Sequence, residues 1–422
     1  TSIIQGKRTK AGEVCEMEIE LSGSGDQQNA IQGASYLQDI GDWYNKNVTG
    51  SMIIQGRMLR DIRLGSKNNP VIISISSLTL SNCVSLQRLL LSNITTLSGT
   101  LNLTACEHLQ EIYADGTSLA QIVLPSGGGL RVVEYSRFNQ YLSLSNYPLL
   151  TDDGIGIDLC KTVISDFFIV DCALVRPMKI LVDIMNAQME QGDNHALKRI
   201  RAVGFEESYN NSFILDKLVD LTNGTYSGLS SEGLSGEDEL PVLDGTLNIN
   251  ASVYGDTVEA LRAMFTRLTL NINGEFYVRF ADDIVTMLCA ENWGDGIGTS
   301  KRQMGNITEL GIIFAGTGIK SFKELSLSKI ESLTNEFTGC SQLSSIAFPE
   351  TLRILNTTAF AGSMVALDLS DCTHITDLLI DSDDTIDFMP SANDNLVNIT
   401  YNNGSSCIHM VGYSNAILTI NN

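Results

Sequence analysis

One spacing constrains this chain more than any other. Leu78, Cys83 and Leu86 recur as Leu101, Cys106 and Leu109, and in each pair the later number minus the earlier is 23. The segments read Leu78-Thr-Leu80-Ser-Asn-Cys83-Val-Ser-Leu86-Gln-Arg-Leu89 and Leu101-Asn-Leu103-Thr-Ala-Cys106-Glu-His-Leu109-Gln-Glu-Ile112. A unit of that length holds a short strand and a return, too little to close a core by itself. Stacked units bury one another's apolar side chains, so the period predicts coils that add in one dimension. That mode of growth lets a chain of 422 residues fold without one oversized core.

The L-x-L-x-x-C-x-x-L pattern at a period of roughly 20–29 residues is the signature of leucine-rich repeats. The expected fold is therefore an α/β leucine-rich-repeat solenoid of 23-residue coils with a mixed α/β insertion. Cys83, Cys106, Cys340 and Cys372 share one place, C-x-x-[LI]-x-x-[LI]. One cysteine per coil at one position suits a small buried hydrophobe. A total of nine cysteines with no C-x-x-C suits neither a disulfide framework nor zinc.

Taken in order, residues 1–35 form a lead-in with the alternating stretch Cys15-Glu-Met-Glu-Ile-Glu-Leu21. Residues 36–151 carry leucine-rich repeats. Over 152–240 the period fades into a mixed insertion, with helical spacing from Met178 to Met185 and again from Phe213 to Val219. In 241–290, Thr246-Leu-Asn-Ile-Asn250 returns 23 residues later as Thr269-Leu-Asn-Ile-Asn273. A helix is expected between them, with Asp256 as N-cap and Glu259 three positions on. Phe276, Val278 and Phe280 predict an alternating strand. In 291–380 the period reappears, Phe337 recurring as Phe360 and Gly339 as Gly362. The polar tail 381–422 is expected to cap the last coil.

Composition narrows the partners. Lys plus Arg is 27 against 49 for Asp plus Glu, a net charge of −22, which repels nucleic-acid phosphates. No apolar run is long enough to span a bilayer. The chain starts at Thr1 without Met, leader or lipid-anchor motif, as expected of a processed or internal piece of something longer.

The stretch Phe337-Thr-Gly-Cys340-Ser-Gln-Leu343-Ser-Ser-Ile346-Ala-Phe-Pro349, followed by Ala359-Phe360, resembles the BspA-like leucine-rich repeats of gut Bacteroidales surface proteins. Leu37-Gln-Asp-Ile-Gly-Asp42, Ile62-Arg-Leu-Gly-Ser66 and Leu243-Asp-Gly-Thr-Leu-Asn-Ile249 resemble repeat proteins of the phages of those bacteria. The resemblance covers most of 36–380. It implies a structural or binding component of a tailed-phage virion, on the tail or another exposed part, present in several copies among other virion proteins. The alternative it implies is a bacterial cell-surface adhesin binding a protein or glycan.

In such proteins a calcium loop often follows Asn-Trp. Here Asn292-Trp293 leads into Gly-Asp295-Gly-Ile297-Gly-Thr-Ser300, which keeps one carboxylate where a calcium loop needs several. No working metal site is expected at Asp295, and no cofactor anywhere. H-E-x-x-H, G-x-S-x-G and P-loop patterns are absent, and His108, His195, His374 and His409 sit in no catalytic constellation. The expectation is a chain that performs no chemistry. Its candidate binding face is Thr79, Asn102, Asn248 and Asn271, the alternate strand positions between apolar ones.

Overall fold

In the computed structural model the described residues are 2–5, 29–32, 39–158, 160–192, 197–222, 241–365, 367–369, 372, 374–380, 388–389, 398–402 and 417–421. The stretch 15–21, the start of the repeats at residue 36, His195, most of the polar tail 381–422 and His409 lie outside them. The architecture is α/β, with parallel strands, few helices and, among the described residues, open sheets that close into no barrel. Contacts divide the chain into two units, 1–248 with 260–269, and 249–259 with 270–422.

In the first unit each repeat supplies a longer and a shorter strand. Longer strands run Thr49–Gln55, Ser74–Ser81, Ser98–Asn102, Ser118–Val123 and Tyr141–Ser145. Shorter ones are Asp39–Ile40, Asp61–Arg63, Arg88–Leu90, Glu111–Tyr113, Val132–Glu134 and Ile155–Gly156, joined in that order into one six-stranded parallel sheet. The turn between the two is the C-x-x-L element. Leu86 N–H donates to the Cys83 carbonyl at 3.1 Å and Leu109 N–H to that of Cys106 at 3.0 Å. The closed turn sends both thiol and leucine inward, and Leu78, Leu80, Cys83, Leu86, Leu89 and Leu91 are all buried. Burying such side chains is the main stabilising term, about 1.5–3 kcal/mol for each large one.

The longer strands end in left-handed backbone. Asn82 (φ 55°), Asn146 (φ 57°) and Asp171 (φ 51°) adopt it directly after such strands, and Asn93 (φ 65°) adopts it in the return after the shorter strand Arg88–Leu90; these are the residue types that tolerate it best after glycine. The amide of Asn93 then ties back to the Ser66 carbonyl at 2.9 Å.

The sequence period fades after residue 151, but parallel pairing continues. Ile155 pairs with Val133, and Leu142 with Phe167 and Phe167 with Ile200 along Tyr141–Ser145, Asp166–Val170 and Arg199–Tyr209. Tyr147 and Leu150 occupy the C-x-x-L places in this stretch, and Cys172 and Val175 do so one strand later. Helix Pro177–Glu190 buries Ile180, Leu181, Ile184 and Met185. Its starting residue offers no side-chain cap. Glu207, from Arg199–Tyr209, supplies one instead, accepting from Met178 N–H at 2.7 Å and Lys179 N–H at 3.3 Å.

In the second unit Asn273 (φ 52°) and Gly274 (φ 86°) form the tight turn of a hairpin pairing Asn271 with Phe276. The alternating strand expected over Phe276–Phe280 is cut to Glu275–Phe276, because Tyr277 makes an isolated bridge to Ser300. The helix expected after Asp256 is Gly255–Met264. Asp256 lies inside its first turn rather than at the cap, since Val258 N–H already bonds the Tyr254 carbonyl at 3.3 Å. Further on, Ser332–Leu333, Ile354–Asn356, Asp377–Ile380, Asn398–Asn402 and Ile417–Asn421 form a five-stranded parallel sheet. Behind Ser321–Phe322 and Ser332–Leu333 the core is aromatic: Phe314, Phe322, Phe337 and Phe360 are all buried.

Candidate functional site

The four polar strand residues expected to form one binding face fall in three sheets. Thr79 lies opposite Ile53 in Ser74–Ser81, and Asn102 opposite Val123 in a separate two-stranded sheet. Both are exposed. Asn102 spends its side-chain oxygen locally, accepting from Thr104 N–H at 3.0 Å and Thr104 Oγ1 at 2.8 Å. Asn248 is half-buried and donates to Glu206 at 3.2 Å. Asn271, also half-buried, belongs to the second unit.

The loop at Asp295 closes on its own carboxylate. One oxygen accepts from Ile297 N–H at 3.0 Å and the other from Tyr277 Oη at 2.7 Å. Among the described residues no three His, Cys, Asp or Glu side chains gather as a metal-ligand set. Nearby, within the second unit, Gly255, Asp256, Glu259, Asp283, Met287 and Gly296 line an open cleft of about 520 Å³.

The densest constellation is on the short-strand sheet of the first unit. Parallel register aligns the buried column Ile40, Ile62, Leu89, Ile112 and Val133. Strand alternation turns the residues on either side of that column outward. Asp39, Asp61, Arg88, Glu111 and Val132 make one outward row, and Arg63, Leu90, Tyr113, Glu134 and Gly156 the other.

These side chains engage one another across strands. Arg63 Nε sits 3.5 Å from Asp42 and its Nη1 3.9 Å from Asp61. Arg88 Nε lies 3.4 Å from Glu111, which also accepts from Tyr113 Oη at 3.1 Å. Lys67 reaches in from the loop after Asp61–Arg63. Its ammonium stands 4.4 Å from the Tyr113 ring centre and donates to Glu134 at 2.5 Å. The Arg88 guanidinium stands 5.5 Å from the same ring.

Electrostatics follow from this crowding. Burial pushes the Asp61 and Glu134 carboxyls above the usual range, opposed at Asp61 by Arg63 and Arg88 and at Glu134 by Lys67. Burial, and after it the bond to Glu111, pushes the Tyr113 phenol up as well. Ser92 donates to Asp115 at 2.5 Å, but Ser92 is fully buried and its hydroxyl is out of a substrate's reach. The face can attract and orient charged groups; it holds no exposed nucleophile paired with a base.

Sequence reading missed this face because it followed the longer strands. The usable signal was the pair of residues flanking each second apolar position, as in Asp61-Ile62-Arg63 and Glu111-Ile112-Tyr113. Among the described residues no helix is long and apolar enough to cross a membrane. Comparisons with protein-family models, with curated proteins and with solved structures return no match.

Proposed function

We propose that this chain is a non-enzymatic leucine-rich-repeat solenoid protein that acts by presenting the outward face of its short strands to a partner, as a component of a tailed-phage virion. The observation that carries the surface reading is the register. Leu89 pairs with Ile112 and Ile112 with Val133, so the residues flanking them repeat as two ordered rows on one sheet. Repeat proteins commonly bind through such a face, because stacking holds every side chain in place before the partner arrives. The virion setting rests on the sequence resemblance, which also implies several copies around a symmetry axis.

Two measurements test the reading. Antibody against the chain should decorate intact particles in electron micrographs. The isolated chain, weighed in solution, should form a closed oligomer. A stable monomer recovered from a cell envelope, with undecorated particles, would replace the virion setting by that of a surface adhesin.

A further inference from the structure

We propose that the Tyr113 end of this face is a docking site for a basic protein segment, and that Lys67 occupies it as an internal stand-in for the partner's lysine or arginine. The proposal rests on the surface reading above and names the partner's chemistry. Lys67 is exposed, yet its ammonium is held against the Tyr113 ring and the Glu134 carboxylate. An aromatic face beside a carboxylate is the chemistry that selects a cation from water. The side chain that fills it comes from a loop, Ser66 to Val71, in which no strand or helix forms.

Charge points the same way. The outward rows and the groups set against them hold Asp39, Asp42, Asp61, Glu111, Asp115 and Glu134 opposed by Arg63, Lys67 and Arg88: six carboxylates against three cations, a difference of −3. A basic segment laid across the strands would take the place of Lys67 against the Tyr113 ring and the Glu134 carboxylate, displace Lys67 into solvent and be drawn in by the net negative potential.

The test is calorimetric titration of the full chain with a capped hexalysine peptide, with capped hexaglutamate as the control. Hexalysine should bind at low ionic strength and weaken at about 0.5 M salt, while hexaglutamate gives no heat. Lys67→Ala should tighten binding about threefold to tenfold, because the site no longer has to release its own cation. Tyr113→Leu and Glu134→Gln should each weaken it about tenfold. Asp256→Asn, which removes a carboxylate from the other unit, should leave it unchanged. A gain of affinity in Lys67→Ala cannot come from misfolding. Absence of hexalysine binding, no tightening in Lys67→Ala, or an Asp256→Asn loss equal to that of Glu134→Gln overturns the proposal. Those results would leave the surface reading standing, since another kind of partner could still use the face.

Discussion

Phe337 stacks on Phe360, ring centres 5.4 Å apart and planes within 16°. The two positions differ by 23, so the contact is the sequence period expressed as a side-chain pair. Phe337 also meets Phe314 at 5.7 Å and Phe322 at 6.2 Å. Phe337→Ala should therefore cost about 3–5 kcal/mol, the range for truncating a buried aromatic. Hydrogen exchange should show the loss spreading from 337 toward both 314 and 360. Exchange that accelerates only at 337 itself would mean that the column does not couple its members.

Asp282 joins two elements of the second unit through backbone amides alone. Oδ1 accepts from Ile284 N–H at 2.9 Å and Val285 N–H at 3.4 Å, capping helix Asp283–Trp293. Oδ2 accepts from Lys320 N–H at 2.6 Å and Ser321 N–H at 3.4 Å. Asp282→Ala strands four donors in a buried place and should cost about 3 kcal/mol. Asp282→Asn keeps the cap oxygen but turns an amide NH2, a donor, toward the Lys320 N–H donor, so its cost should fall between. Thermal melts of the three proteins rank them, and equal melting points for wild type and Asp282→Ala would refute the assignment.

Glu207 makes stability depend on pH. Burial raises its carboxyl above 4.5, against the pull of Tyr209 and the two helix amides. A raised folded-state value means that the native protein holds this proton more tightly than the unfolded chain does. The group's contribution is thus full below 4.5 and is lost as pH rises through the folded value. Glu207→Gln removes that dependence. The melting temperature of wild type minus that of Glu207→Gln should fall between about pH 4 and about pH 7. A difference that rises over this window would reverse the sign of the argument.

The thiols should be silent in the folded protein. Cys106, Cys160 and Cys289 are buried, and burial pushes each up to about 12. At about pH 8 roughly one molecule in ten thousand carries the thiolate at any of these sites. A brief pulse of iodoacetamide followed by peptide mapping should find these three unmodified in native protein and fully modified in denaturant. Rapid native labelling of Cys106 would place that thiol outside the core.

Where sequence and fold agree, the reason is periodicity. Leu78, Cys83 and Leu86 are core residues because the spacing that betrayed them is the spacing that buries them. The strand–helix–strand reading of 246–273 survives as Val242–Ile249, Gly255–Met264 and Thr269–Ile272. Helix Asp283–Trp293 escaped because Ile284, Val285, Leu288, Cys289 and Ala290 leave little polar stripe to mark a face. The capping box of Ser300 and Gln303 was written in the chain as S-x-x-Q, but it heads a helix of one turn, Lys301–Met304. The Tyr113 face was hidden for a different reason. Lys67 lies three strands from Glu134 in the sheet and 67 residues from it in the chain, a distance no local pattern spans.

The short-strand sheet keeps one register over unequal spacings in the chain. Its paired positions Asp39, Asp61, Arg88, Glu111 and Val132 are separated by 22, 27, 23 and 21 residues, yet they stay in step. The longest step is the one that carries Lys67. Register here is counted in strands, and the returns between strands absorb any surplus. A gene encoding it can therefore gain or lose codons in the returns without moving one outward side chain. The same edit inside Asp61–Arg63 or Glu111–Tyr113 would swap inside for outside. Length is thus the tolerant variable in this sheet and register the strict one: an insertion at 66–71 should leave the rows in place, and one at 111–113 should not.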